Sequence, residues 1–212
     1  MPSTLVLAGD YWHPAPIIRP LAEKLFSDGS MRFTENPKDF ERDTCDLLVI
    51  FKEPSENNRI PTPVWCDENW TKLLISRVSQ GMGLIVAHAG ICDVKKDHPL
   101  VTELTHAVFL GHPAQCPVSV RFDQGHPLTD GLADFTLPEN DEHYQVEMLP
   151  GSEGEILGRT ESAHGAQPGL WAHSYGKGRV CVFTPGHTTK NLLSGGMTAA
   201  YRRMISWCAE QS

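Results

Sequence analysis

The stretch Gly81-Met82-Gly83-Leu84-Ile85-Val86-Ala87-His88-Ala89-Gly90 decides how this chain is read. Leu84–Ala87 is short and wholly apolar, the profile of a strand covered on both faces. It ends on a histidine, followed by a small residue and a glycine. Val86-Ala87-His88-Ala89-Gly90 therefore has the spacing of a strand-to-helix elbow, a turn that lifts one side chain above the sheet. The lifted group is an imidazole, where a hydrolase would carry Ser or Cys. Gly81-Met82-Gly83 is no phosphate loop, because it precedes its strand, lacks a Lys-Ser/Thr ending and opens no helix.

Working outward, the same alternation continues. Leu5–Ala8 is a second buried strand, ending at Gly9-Asp10, and Met31–Thr34 and Asp46–Phe51 read as further strands. Ile17, Ile18, Leu21, Ala22 and Leu25 keep a helical period, with Pro16 and Pro20 near the first turn. Trp70, Leu73, Leu74 and Val78 form the next helix face, stopped by Gly81. Glu35–Thr44 reads as a polar stretch and Pro54–Pro63 as a polar, proline-bounded loop. In the second half, Val118–Phe122, Tyr144–Met148, Glu155–Thr160, Gly169–His173 and Arg179–Phe183 read as strands. The last two form a hairpin through Tyr175-Gly176-Lys177-Gly178. Met197, Ala200, Tyr201, Met204, Ile205 and Cys208 make the stripe of a closing helix. The alternation predicts an α/β fold: a mostly parallel sheet with helices on both faces and a late antiparallel hairpin. No repeat or linker divides it, so one domain over residues 1–212 is expected.

Composition excludes several function classes. The 212 residues carry 26 acidic and 18 basic side chains, a formal net charge of −8. That balance argues against a nucleic-acid partner, whose recognition rests on clustered Lys and Arg. No apolar run approaches the roughly 20 residues of a spanning helix. The N-terminus shows neither a basic region nor a cleavage site. Cysteines 45, 66, 92, 116, 181 and 208 form no Cys-x-x-Cys pair. A reduced, cytoplasmic protein without membrane contact is expected, with a homo-oligomer left open.

In parallel-sheet folds ligands bind beyond the carboxyl ends of the strands, and three such ends carry a histidine. These are Gly9-Asp10-Tyr11-Trp12-His13, then His88-Ala89-Gly90, then Thr184-Pro185-Gly186-His187. Imidazole titrates near neutrality and is also a common metal ligand, so convergence of several matters. A polar cluster, Asp141-Glu142-His143-Tyr144, precedes a strand; Asp141-Glu142 by itself reads as a polar turn. His112, in Gly111-His112-Pro113, and His143 stay open between loop and site. His98, His106, His126, His164 and His173 read as structural or solvated. Cys92 stands four residues past the elbow apex, which disfavours Cys–His acyl transfer.

Taken together, Gly9–His13, Gly81–His88, Gly111–Pro113, His126–Leu132, Asp141–Tyr144 and Tyr175–His187 resemble the ThuA-like (trehalose-utilisation) family. The resemblance runs from about Leu5 to Trp207. It implies a flavodoxin-like three-layer sandwich, similar to class I glutamine amidotransferases, whose active members use a Cys-His-Glu triad. This chain departs from that triad twice. His88 stands in place of Cys at the elbow, and His187-Thr188-Thr189 stands where His-x-Glu would be. Glutamine hydrolysis by that route is unsupported, and the fold analogy does not restore it. The family link implies a sugar or keto-disaccharide ligand.

Two readings follow. In the first, an enzyme acts on a carbohydrate derivative by acid–base chemistry. His88 and His187 exchange protons with Glu142 as orienter or second base, while Asp10, Tyr11, Trp12, His13, His112 and Tyr144 bind substrate. His13, His88, His187 and Glu142 also form a nitrogen and oxygen ligand set suited to a divalent metal such as zinc. In the second, the domain has lost its chemistry and binds a small sugar-like ligand or a partner protein.

Overall fold

The computed structural model describes residues 2–55, 59–60, 64–152 and 154–210. Much of the Pro54–Pro63 loop thus lies outside the described residues. The first half of the chain alternates strand and helix as expected: β1 (Thr4–Leu7), α1 (Ala15–Leu25), β2 (Met31–Thr34), α2 (Lys38–Arg42), β3 (Leu47–Ile50), α3 (Glu68–Ser79) and β4 (Gly83–Ala87). The polar Glu35–Thr44 stretch holds the short α2. Its one buried side chain, Phe40, is too little to leave a helical period in sequence. Pro16 at the start of α1 costs no hydrogen bond, whereas Pro20 lies inside the helix rather than near its first turn. The Asp67 side chain caps α3 by accepting from the Trp70 N–H.

The strands read as buried on both faces are buried for a simple reason. In β3, Leu47 and Val49 point into one core while Leu48 and Ile50 point into the other. The first core is closed by Ile18, Leu21, Tyr201 and Met204; the second by Phe40, Trp70, Leu74 and Val78. Burying each such side chain stabilises the fold by roughly 1.5–3 kcal/mol. These are the two interfaces of a three-layer sandwich.

The second half contains β5 (Ala107–Gly111), β6 (Ser119–Phe122), β7 (Phe135–Thr136), β8 (Gln145–Met148), β9 (Glu155–Ser162), β10 (Gly165–Tyr175), β11 (Gly178–Phe183), α4 (Thr189–Leu192) and α5 (Gly195–Ala209). The main sheet runs β2-β1-β3-β4-β11-β10-β9-β6-β7. Its first five strands are parallel, in the flavodoxin order. The expected β10–β11 hairpin is present, but β9, β6 and β7 extend it antiparallel. A separate antiparallel pair, β5–β8, lies outside that sheet. β5 escaped the sequence reading because its residues are only partly buried and do not alternate strictly.

Strand order places the three histidine-bearing ends side by side. β1 and β4 flank β3, and β11 lies next to β4. At the elbow after β4, His88 has φ +43, a conformation that L-residues adopt only under surrounding constraint. Gly90 is part of that constraint: a Cβ there would sit 2.8 Å from Val86 Cγ1 and 2.9 Å from the Ile50 carbonyl oxygen.

Away from those ends, buried His106 and His173 stack with ring centroids 4.3 Å apart. Burial first, and then the charge of His106, pushes His173 down to about 4 from its ordinary 6.5. The unfolded chain therefore binds a proton that the folded chain refuses. This contribution to stability is intact above pH 6.5 and is lost as the pH falls towards 4. His173→Phe keeps the stack and removes the titration. Between pH 7 and 4.5, wild-type unfolding free energy should fall by about 2 kcal/mol more than that of the variant. Urea titrations at both pH values measure this; equal falls would contradict it.

Candidate active site

Each strand end uses a different buried anchor to aim its histidine. After β1, Asp10 is the anchor, with its side chain fully buried. Its Oδ1 accepts the backbone N–H groups of Trp12 at 2.9 Å and His13 at 2.7 Å, and its Oδ2 accepts that of Glu53 at 2.9 Å. Oδ1 also faces His13 Nδ1 at 3.2 Å. A carboxylate only accepts, so Nδ1 carries a proton and the Nε2 edge of His13 turns inward.

After β4, His88 Nδ1 donates to the Thr184 carbonyl at 2.7 Å. Its Nε2 is buried and has no hydrogen-bond partner among the described residues. Tyr144 lies against its ring, with centroids 4.2 Å apart and planes at 22°. After β11, Asp141 holds the backbone: Oδ2 accepts the Gly186 N–H and Oδ1 the His187 N–H, each at 2.8 Å. Asn191 Nδ2 donates to Oδ1 at 3.2 Å. Asp141 is completely buried.

The three imidazoles meet at Glu142. Its Oε2 lies 3.2 Å from His187 Nδ1, 3.4 Å from His88 Nε2 and 3.9 Å from His13 Nε2. His187 Nδ1 and His13 Nε2 are 3.1 Å apart. Ring centroids are 4.8 Å apart for His13 and His88, 4.9 Å for His13 and His187, and 5.6 Å for His88 and His187. His112 joins from the rim. Its Nδ1 donates to the Pro113 carbonyl at 2.8 Å, and its Nε2 lies 3.7 Å from Glu142 Oε1.

Crowding separates the proton affinities of Glu142, His13 and His88. Burial alone would raise the Glu142 carboxyl, but the facing imidazoles of His13, His187 and His88 hold it far below the usual carboxylate range. Burial also works against protonated His13, yet Asp10 and Glu142 reverse the effect and hold it up to about 9. Fully enclosed His88 goes the other way: burial outweighs Glu142 and pushes it down. The cluster thus places a cationic and a neutral imidazole against one carboxylate.

Of the residues singled out in sequence, His13, His88, His187 and Glu142 come together, with His112 beside them. Asp10 supports His13 from within. Tyr144 is buried behind His88, its hydroxyl 3.4 Å from Cys92 Sγ. Cys92 is buried, which pushes its thiol well up and keeps it protonated. Tyr11 is exposed and packs edge-on against Trp12, over which Arg59 lies at 4.4 Å. His143 is structural, its Nε2 at 3.1 Å from the Thr160 carbonyl and its Nδ1 bonded to Ser162. Sequence reading missed Asp141. It enters from a loop bridged to Cys116, and nothing local to Asp141-Glu142 separates an anchor from a solvated turn.

A flavodoxin-like sandwich with imidazoles gathered at its parallel strand ends defines the class of protein. The chain belongs to the ThuA family, described as trehalose utilisation, whose model matches residues 11–208. Solved structures share its fold. A ThuA-like protein from Parabacteroides merdae is 17% identical, with a TM-score of 0.73 over 97% of this chain and 89% of that one. A ThuA-like protein from Bacteroides uniformis is 18% identical, with a TM-score of 0.71 over 97% and 90%. A cytoplasmic protein from Salmonella typhimurium is 13% identical, with a TM-score of 0.61 over 98% and 100%. No curated protein sequence matches the chain.

The anchoring role of Asp141 has a measurable cost. Asp141→Ala orphans the buried Gly186 N–H and the partly buried His187 N–H, with a buried unsatisfied group costing roughly 1–3 kcal/mol. Denaturant unfolding should show a loss of about 2–4 kcal/mol. A change within about 0.5 kcal/mol, the range of ordinary surface substitutions, would contradict the role.

Proposed function

We propose that this ThuA-family protein acts on a carbohydrate derivative, a keto-disaccharide, by proton transfer at the site of His88, His187 and Glu142. The observation that carries this reading is the convergence of three imidazoles on one carboxylate oxygen at the strand ends where parallel sheets bind ligands. The reaction would break the C–H bond beside the ketone. The proton passes to a basic group of the site, and the electron pair forms an enolate that is reprotonated or expels a β-oxygen as it is protonated. Such chemistry needs groups that bind and release protons near neutrality and positive partners for the enolate oxygen. Here neutral His88 would offer the accepting lone pair and cationic His13 the positive partner. Exposed Tyr11 and His112, with half-buried Trp12, would contact the sugar from the rim.

Six free thiols suit a reducing compartment. No helix among the described residues is long and apolar enough to cross a membrane. The thiols support a cytoplasmic location. Glutamine hydrolysis is not part of this reading, since the elbow presents an imidazole and Cys92 is buried and protonated. The same departure from the Cys-His-Glu pattern favours a second reading, a ligand-binding domain without turnover.

Incubation with a 3-keto-disaccharide in D2O, followed by NMR, separates the two. Catalysis predicts deuterium incorporation beside the ketone or release of a monosaccharide. His88→Ala and His187→Ala should each slow it at least 100-fold, the low end of the roughly 10²–10⁴ expected of general acid–base catalysis. Binding of the disaccharide with no exchange and no cleavage would overturn the catalytic reading.

A further inference from the structure

We propose that His13, His88, His187 and Glu142 form a site for one divalent transition-metal ion of the zinc class. His13 Nε2, His88 Nε2, His187 Nδ1 and Glu142 Oε2 would be the ligand atoms. This goes beyond the functional reading above and needs no particular substrate.

The first argument is geometric. Zinc–nitrogen and zinc–oxygen bonds of about 2.0–2.1 Å in a tetrahedron put neighbouring ligand atoms about 3.3–3.4 Å apart. Four of the separations here are 3.1, 3.2, 3.4 and 3.9 Å. Each of the four residues offers one ligand atom, all within 4.8 Å of one another. The atoms already surround a volume of the right size.

The second argument concerns protons. Ligating imidazoles usually donate their other N–H to a carboxylate or carbonyl, which fixes the tautomer and aims the lone pair. His88 does this with the Thr184 carbonyl, and His13 with Asp10. With its proton on Nδ1, neutral His88 turns the Nε2 lone pair towards an anionic oxygen only 3.4 Å away. That buried nitrogen has no hydrogen-bond partner among the described residues. Two lone pairs face each other across a gap that a cation would fill favourably.

Rigidity is the third. His88 is held at φ +43, and Asp141 pins the Gly186–His187 backbone by accepting both N–H groups. Ligands fixed by the fold lose little freedom when an ion enters.

The donor set selects the ion. Three imidazole nitrogens and one carboxylate oxygen suit zinc and its transition-metal neighbours, whereas magnesium and calcium prefer all-oxygen shells. His13 and His88 seal the inner side, at 5% and 1% side-chain exposure. Glu142 and His187 are more open, at 13% and 17%, and His112 beside them reaches 35%. Any further ligand would enter from that side: a water, or the adjacent hydroxyl and ketone oxygens of an oxidised sugar. With an ion seated, His88 is a ligand, and proton transfer falls to groups around the ion.

The test uses zinc and cobalt(II) alone, on the full chain. Protein purified without chelator should contain about one zinc per chain by elemental analysis, and cobalt(II) exchanged into it should give visible ligand-field bands. His88→Ala should weaken zinc binding at least 100-fold. Glu142→Gln, nearly isosteric and at the open side, repeats the test should His88→Ala fail to fold. Asp10→Asn should weaken binding 10–100-fold, as loss of a supporting partner does. Sub-stoichiometric zinc without cobalt bands, or binding indifferent to these substitutions, would overturn the proposal. Bound zinc without deuterium exchange in keto-sugars would refute the carbohydrate reading alone; exchange in keto-sugars by a protein that binds no zinc would refute the metal alone.

Discussion

Glu142 Oε2, faced by the nitrogens of three histidines, is the constraint around which the functional end of the molecule is organised. A buried carboxylate is costly unless paired and hydrogen-bonded, and three mutually close imidazoles repel if charged. Each group is tolerable only because the others are present. The grouping persists because fixed partners stand behind it: Asp10 behind His13, the Thr184 carbonyl behind His88, and Asp141 behind the His187 backbone. Those partners belong to strand ends or to the loop bridged to Cys116, so sheet order and site geometry are one problem. Exchanging two parallel strands would separate the histidines.

Much of this arrangement was legible in the sequence, because its signals are local. Leu5–Ala8, Asp46–Phe51 and Leu84–Ala87 announce buried strands by composition. A histidine just past a parallel strand lies, by general topology, where ligands bind. His13, His88 and His187 could therefore be picked without knowing the sheet order, and the resemblance to ThuA-like proteins implied only the flavodoxin-like sandwich around them. What stayed hidden depends on distant contacts. Asp141 is an anchor only through the Gly186–His187 turn, far along the chain. Nothing adjacent to His106 or His173 signals their stack. The antiparallel extension beyond β10 involves short, partly polar strands such as β7, whose two residues carry no readable period.

The elbow shows how one backbone device serves a changed chemistry. A residue held at positive φ above a strand can present a thiolate for attack on a carbonyl. Here the same position presents an imidazole, backed by a carbonyl that fixes its tautomer. The nearby thiol, Cys92, is withdrawn beneath Tyr144 and stays protonated. Nucleophilic catalysis needs an exposed, ionised group; metal binding and proton transfer need a fixed lone pair. The surroundings of His88 meet the second requirement.

The central claim is that the four side chains act together as one site for one ion. A zinc-edge anomalous difference map, from crystals grown with zinc, tests it most directly. The account predicts one peak among the strand ends, about 2.0–2.2 Å from His13 Nε2, His88 Nε2, His187 Nδ1 and Glu142 Oε2. Anomalous density elsewhere, with those four atoms in contact only with one another, would contradict it.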